Sequence, residues 1–140
     1  MRVDTALLCE SATTKDGLLY VLGGGIVQTQ HAEFPAEIGM TLALRIMLHP
    51  TELTRPHGLE ILLQDEDGQL VTKVDVGIGI TENVVVPLGE EAPLVLPWSF
   101  PGRPKLPHPG RYSFEILIDG VHQLAVPFTA IQQPGEGVQS

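Results

Sequence analysis

Residues 109–128 read PGRYSFEILIDGVHQLAVPF. Tyr112, Phe114 and Ile116 recur at every second position before the pair Asp119-Gly120, and apolar residues alternate again after it. Successive side chains of a strand point to opposite faces, so this period of two indicates two strands that each bury one face. A glycine in the connecting pair suits the left-handed backbone of a tight turn. The stretch therefore predicts a β-hairpin.

The apolar pattern also favours one register for this hairpin. A two-residue turn at Asp119-Gly120 pairs Ile116 with Gln123 and moves the apolar residues of the second strand to the wrong face. A three-residue loop over 118–120 instead pairs Ile116 with His122 and puts Gly120 at the left-handed position of a bulge. We predict the three-residue loop.

The same alternation recurs through the 140 residues. Further strands are predicted in Met40–His49, Leu59–Gln64, Gln69–Ile80 and Leu94–Phe100, and the turns at 14–17 and 65–68 each end in glycine. The pattern predicts an all-β fold, an antiparallel β-sandwich of about eight or nine strands with immunoglobulin-like or related Greek-key topology. Residues 1–131 form one domain, and the Gly-, Gln- and Pro-rich residues 132–140 form a flexible tail.

Charge excludes some partners. Eight Lys and Arg residues stand against seventeen Asp and Glu, for a net charge of −9. Such a chain lacks the basic footprint that phosphates or an anionic membrane require, so neither nucleic acid nor membrane is predicted as a partner. Cys9 is the only cysteine, and the N-terminus does not resemble a signal peptide. We expect a cytoplasmic protein.

Three histidines are the strongest candidates for chemistry. Antiparallel strands gather alternate loops at opposite ends, which puts the turn at 14–17, the loop at 49–58, the segment at 81–93 and the turn at 118–120 at one end. His49, His57 and His122, with Asp119, would meet there, and three imidazoles with a carboxylate can hold zinc. A small-ligand or metal site, with hydrolytic activity as one form of it, is thus the alternative function. The spacing matches no ligand signature, so the leading interpretation assigns no metal, cofactor or catalytic residue.

A glycine run and an apolar strand face point to a protein partner. No helix follows Gly23, Gly24 and Gly25, which argues against a phosphate loop and favours a flat, open stretch of strand. Met47 and Leu62 lie on faces opposite the predicted core faces of their strands. We predict these five residues as partner contacts. The resulting hypothesis is a non-enzymatic interaction or scaffold module that binds a protein partner or a second copy of itself.

The sequence also resembles a known family. The runs 14–25, 33–35, 65–68 and 109–120, in that order, are similar to a family of short uncharacterised bacterial proteins, a domain of unknown function. The resemblance spans nearly the whole chain. It implies a stand-alone bacterial cytoplasmic domain, and it supplies no catalytic residues, since the family has none assigned. The closing hairpin is similar to the last strands of immunoglobulin-like domains, which bears on fold alone.

Overall fold

A computed structural model describes residues 1–49, 51–52, 55–78, 90–100 and 102–133. These residues contain twelve β-strands and no α-helix, which confirms the all-β prediction. The number of strands exceeds the predicted eight or nine because it includes short strands, such as the two-residue β5 and β10, that are too short to show an alternating pattern. The strands are β1 (Arg2–Cys9), β2 (Ser11–Lys15), β3 (Leu18–Leu22), β4 (Gln28–His31), β5 (Ala36–Glu37), β6 (Thr41–Leu48), β7 (His57–Asp65), β8 (Leu70–Ile78), β9 (Ala92–Ser99), β10 (Lys105–Leu106), β11 (Gly110–Ile118) and β12 (Val121–Gln132).

The strands form two larger and two smaller sheets. The order is β4-β12-β11-β7-β8 in the five-stranded sheet and β1-β6-β9 in the three-stranded sheet. β2 pairs with β3 in a separate hairpin, and β5 pairs with β10. The pairing is antiparallel except between β4 and β12, which run parallel. The sheets are thus antiparallel, as predicted, with one parallel pair at an edge.

The two larger sheets contribute to one hydrophobic core. Leu44 of β6, Ile61 of β7 and Phe114 of β11 have no exposed surface, and they belong to the same buried cluster. Phe114 also stacks on Phe128 of β12 with ring centroids 5.6 Å apart. Full burial of one such side chain stabilises the fold by roughly 1.5–3 kcal/mol relative to exposure. The alternating faces predicted for these strands are therefore the faces that pack.

The predicted register of the closing hairpin is wrong. Asp119 and Gly120 form a two-residue turn with φ of 50° and 78°, and Ile118 pairs with Val121. The register then shifts next to Ile116, which pairs with Leu124. This bulge puts Leu124, Val126 and Phe128 on the buried face, which is the result for which the three-residue loop was predicted. The apolar pattern required one extra residue in the hairpin, and this residue can lie either in the turn or in a bulge of the strand. The structure has it in the bulge.

The predicted sorting of loops holds at one end of the domain. β5, within the loop at 30–38, pairs with β10 in the Pro-rich segment, and the His108 ring lies 3.6 Å from the Asp65 carboxylate. At the other end, His57 contacts Asp119, as predicted. Gly79, most of the segment at 81–93 and the tail from residue 134 lie outside the described residues. β12 continues to Gln132, one residue past the predicted domain boundary.

Candidate functional site

The β2–β3 hairpin lies on the outer face of the three-stranded sheet, meaning the face turned away from the core. Asp16 and Gly17 form its turn with φ of 53° and 75°, the left-handed pair that a two-residue hairpin requires. Gly17 lines a cleft together with Thr5 and Arg45, which lie in the middle of that sheet. β1 runs from Arg2, opposite Met47, to Cys9, opposite Thr41, so the hairpin that follows folds back over the sheet, and Gly17 of its turn lines the same cleft as Pro93.

Strand β3 exposes an apolar face. The exposed fractions of Leu18, Tyr20 and Leu22 are 59%, 49% and 67%. These three residues alternate with Leu19 and Val21, so they share one side of the hairpin, which we call the apolar hairpin face. This face was not predicted from the sequence, although one signal was present: β3 consists of five consecutive apolar residues next to a turn, with no charged side chain.

The cleft between hairpin and sheet has a volume of about 410 Å³. Leu18, Leu19 and Tyr20 of β3 line it together with Val95, and Arg45 is its one charged residue. The Arg45 guanidinium donates two hydrogen bonds to the Asp4 carboxylate, at 2.9 and 2.7 Å. The hydrogen bond from Arg45 lowers the pKa of Asp4. Because its positive charge is already paired, Arg45 does not offer this cleft a free anion-binding group.

The glycine run does not form the open strand predicted for it. β3 ends at Leu22, and Gly23 and Gly25 have φ of 67° and 93°, so the chain turns here. A Cβ on Gly23 would lie 2.7 Å from the Glu10 side chain, and one on Gly24 would lie 2.8 Å from Leu7. The close approach expected at these glycines is real, but at Gly23 and Gly24 the neighbour is the protein's own chain.

The predicted partner contacts do not form one surface. Met47 pairs with Arg2 in the three-stranded sheet, whereas Leu62 pairs with Glu115 in the five-stranded sheet. Each lies on the outer face of its own sheet, because its neighbours in sequence belong to the core. The two outer faces are separated by the core, so Met47 and Leu62 do not belong to the same contact surface.

His57 and Asp119 are the members of the predicted metal set that meet. The His57 ring is nearly buried, with Nδ1 2.6 Å from Asp119 Oδ2 and Nε2 2.6 Å from the main-chain oxygen of Glu52. The other Asp119 oxygen accepts a hydrogen bond from the Gly58 N–H at 2.9 Å. Together these bonds connect the loop after β6 to the β11–β12 turn.

His57 and Asp119 each favour the charged form of the other. The hydrogen bond to Asp119, followed by the bond to Glu52, raises the pKa of His57. Hydrogen bonds from His57 and Gly58 lower the pKa of Asp119. A protonated imidazole donates from both nitrogens, which matches the two acceptors found here. Metal binding needs a lone pair on one ring nitrogen, and both positions face an acceptor.

The other two histidines have separate partners. His49 Nδ1 lies 3.1 Å from the Thr51 hydroxyl, and its main-chain N–H donates to Glu52 at 2.8 Å. His122 Nε2 lies 2.6 Å from Glu115, with both residues on the outer face of the five-stranded sheet. Within the described ranges, no group of three or more His, Cys, Asp or Glu side chains is placed to hold a metal ion.

Comparison with known proteins identifies a family without identifying an activity. The part of the chain that the structure describes has no helix long and apolar enough to cross a membrane. A search of the curated proteins finds no match. The family model described as "Family of unknown function (DUF6941)" matches residues 4–131, which is most of the chain. The protein is therefore a member of this family of unknown function.

Proposed function

We propose that the protein is a non-enzymatic interaction module and that the apolar hairpin face of Leu18, Tyr20 and Leu22 is its contact surface. The observation that carries this proposal is the concentration of exposed apolar side chains on β3. Among the residues that the structure describes, the exposed large hydrophobic ones are Leu18, Tyr20, Val21, Leu22, Val27, Leu70 and Val121. Four of these seven lie within β3, and three of the four are on the apolar hairpin face. Single exposed hydrophobic residues are ordinary, but a contiguous group marks an interaction site.

The chemistry of the face suits a protein partner. Tyrosine is enriched among the residues that carry most of the binding energy in interfaces, and Tyr20 lies between two leucines on this face. Thr13 and Lys15 lie directly across from Tyr20 and Leu18 on β2, and they give the apolar centre a polar border. Charged groups, which are depleted in interface centres, do not occur on β3.

The geometry favours this proposal over the alternative function at the histidine end. There, His57 and Asp119 satisfy each other, His49 contacts Thr51, and His122 contacts Glu115. A binding site for metal or substrate would first have to break these bonds. The apolar hairpin face requires no such rearrangement, because about half or more of the surface of Leu18, Tyr20 and Leu22 is already exposed.

We further propose an immunoglobulin-like arrangement for this module. The order β1-β6-β9 against β12-β11-β7 is compatible with the first, second and fifth strands of such a sandwich facing the third, sixth and seventh. The Tyr112 hydroxyl donates to the main-chain oxygen of His108 and accepts from its N–H, as in the tyrosine corner of those domains. A cytoplasmic location is also part of the proposal, and the single cysteine supports it. Bacterial origin is proposed from the family resemblance alone.

Site-directed photocrosslinking in living cells tests the contact surface. Tyr20 is replaced by the photoreactive residue p-benzoyl-phenylalanine, and Asp75, an exposed residue on the outer face of the five-stranded sheet, is replaced in a control variant. Irradiation is expected to join the chain to a partner from position 20 and not from position 75. The absence of adducts at position 20, or equal labelling at both positions, refutes the proposal.

A further inference from the structure

Strand β3 has one edge without a strand beside it. It pairs with β2 on one side, and no other described strand pairs with it. In a hairpin closed by two residues, the pairs Lys15–Leu18 and Thr13–Tyr20 exchange main-chain hydrogen bonds. The main-chain N–H and C=O groups of Leu19 and Val21 consequently point to the open edge. No main-chain hydrogen bond reaches them from elsewhere in the described ranges.

Three other edge strands, β9, β1 and β8, carry features that hinder pairing with a further strand, and β3 carries none of them. Pro93 and Pro97 interrupt the donors along β9. A register shift near Asp4 disturbs β1, and Lys73 and Asp75 place charges along β8. By contrast, β3 contains neither proline, charge nor bulge. An apolar edge without any of these features is a template to which another strand can pair.

We propose that β3 pairs edge to edge with β3 of a second copy of this chain. This inference rests on the proposed function and names the partner, because the pairing sets Tyr20 beside Tyr20 and Leu18 beside Leu22 of the second copy on the apolar hairpin face. The sequence Leu18-Leu19-Tyr20-Val21-Leu22 keeps its apolar character when reversed about Tyr20. An antiparallel pairing about a two-fold axis at Tyr20 puts Leu19 opposite Val21 of the second copy. Both pairs then exchange two main-chain hydrogen bonds, which satisfies all the open groups on both edges.

Charge is compatible with a second copy at this edge. The chain carries a net charge of −9, so two copies repel each other over most of their surface. β3 brings no charged side chain to the axis, and the nearest strand, β2, contributes the cation Lys15. The resulting four-stranded sheet β2-β3-β3-β2 would present the Tyr20 side chains of the two copies next to each other on one face.

Cysteine crosslinking tests this geometry directly. In a Cys9→Ala background, which removes the only native cysteine, Tyr20→Cys is compared with Thr13→Cys. Residues opposite each other at a non-hydrogen-bonded position have Cα atoms about 4.5 Å apart, within the range for a disulfide. Thr13, on β2, would be about 14 Å from Thr13 of the second copy, because both β3 strands lie between the two β2 strands. Mild oxidation is expected to give a covalent dimer from Tyr20→Cys alone.

Sedimentation of the full chain provides an independent measurement. Leu19→Pro removes a donor from the open edge and leaves the bonds to β2 intact, whereas Thr14→Pro removes the equivalent donor from the opposite edge of the hairpin. We expect a dimer for the wild type and Thr14→Pro, and a monomer for Leu19→Pro. Should Leu19→Pro fail to fold, the Tyr20→Cys result decides.

The outcomes separate this inference from the proposed function. A monomeric wild type, or equal crosslinking of Tyr20→Cys and Thr13→Cys, refutes pairing between copies. If photocrosslinking from position 20 then captures a different protein, such as one that adds its own strand to this edge, the contact surface stands without the dimer. If position 20 captures nothing, both proposals fail.

Discussion

Replacement of Gly24 by alanine tests how the hairpin is held on the sheet. The added Cβ would lie 2.8 Å from Leu7 Cδ1 and 2.9 Å from Val21 Cγ1, closer than side-chain atoms normally approach. Leu7 belongs to β1 and Val21 to β3, so the methyl group would be inserted between the sheet and the hairpin. Gly39→Ala is the matched control, because a Cβ there has no atom within 4 Å. Neither glycine has the positive φ that would add backbone strain.

The magnitude follows from two opposing effects. Overpacking costs about 1–3 kcal/mol, while replacing glycine by alanine contributes about 0.4–1 kcal/mol by restricting the unfolded chain. Gly24→Ala should therefore lower the free energy of unfolding by about 1–2 kcal/mol, while Gly39→Ala leaves it unchanged or raises it slightly. For a chain of this size, that loss lowers Tm by roughly 3–6 °C.

Two assays measure the effect of Gly24→Ala. Thermal melts of both variants give the stability difference, and labelling with a thiol reagent reports on Cys9. Cys9 has no exposed surface, and burial raises the pKa of its thiol, so the wild-type protein should label slowly. Gly24→Ala should label faster if the hairpin is displaced. The second change Leu7→Val removes the nearest atom and should recover part of the lost stability. Equal Tm shifts for Gly24→Ala and Gly39→Ala would refute the reasoning.

Two further predictions concern the histidine end and the core. The raised pKa of His57 means that its stabilising contribution is complete below the ordinary value of 6.5 and disappears as pH rises through the raised value. The lowered pKa of Asp119 means that its contribution is present above the ordinary value of 3.8 and disappears as pH falls through the lowered one. Asp119→Asn should therefore flatten the profile of Tm against pH, whereas Asp16→Asn, at the same position of the other hairpin turn, should leave it unchanged; identical profiles would contradict the role of the pair. In the core, Ile61→Ala should cost about 2–5 kcal/mol in urea unfolding, and the adjacent outward residue Leu62 should cost far less when replaced by alanine. A comparable loss from both would show that the faces of β7 are assigned wrongly.

Much of the architecture could be predicted from local pattern. The alternation in β6, β7 and β11 identified their buried faces, because a period of two allows only one face to pack. The turns at Asp16-Gly17 and Asp119-Gly120 were located from their residues, since few other pairs adopt left-handed φ. The contact between His57 and Asp119 followed from sorting loops between antiparallel strands.

The candidate site could not be predicted in the same way. In the sequence, the five apolar residues of β3 are equally suited to a buried strand and to a surface. They are exposed because Gly23, Gly24 and Gly25 turn the chain and the hairpin lies across the outside of a sheet. Likewise, Met47 and Leu62 both alternate with core residues along their strands, but they lie in different sheets. The sheet is determined by which distant strand pairs with β6 or β7, and the local pattern does not contain that information.

By itself, the sequence determined the β class, the buried faces and the turns, because backbone sterics and side-chain alternation act over neighbouring residues. Only the tertiary structure decided which faces remain exposed. Exposure depends on what covers a strand, and that cover comes from segments far away in the chain. For β3, the hairpin lies over the outside of the three-stranded sheet, and about half or more of the surface of Leu18, Tyr20 and Leu22 is exposed.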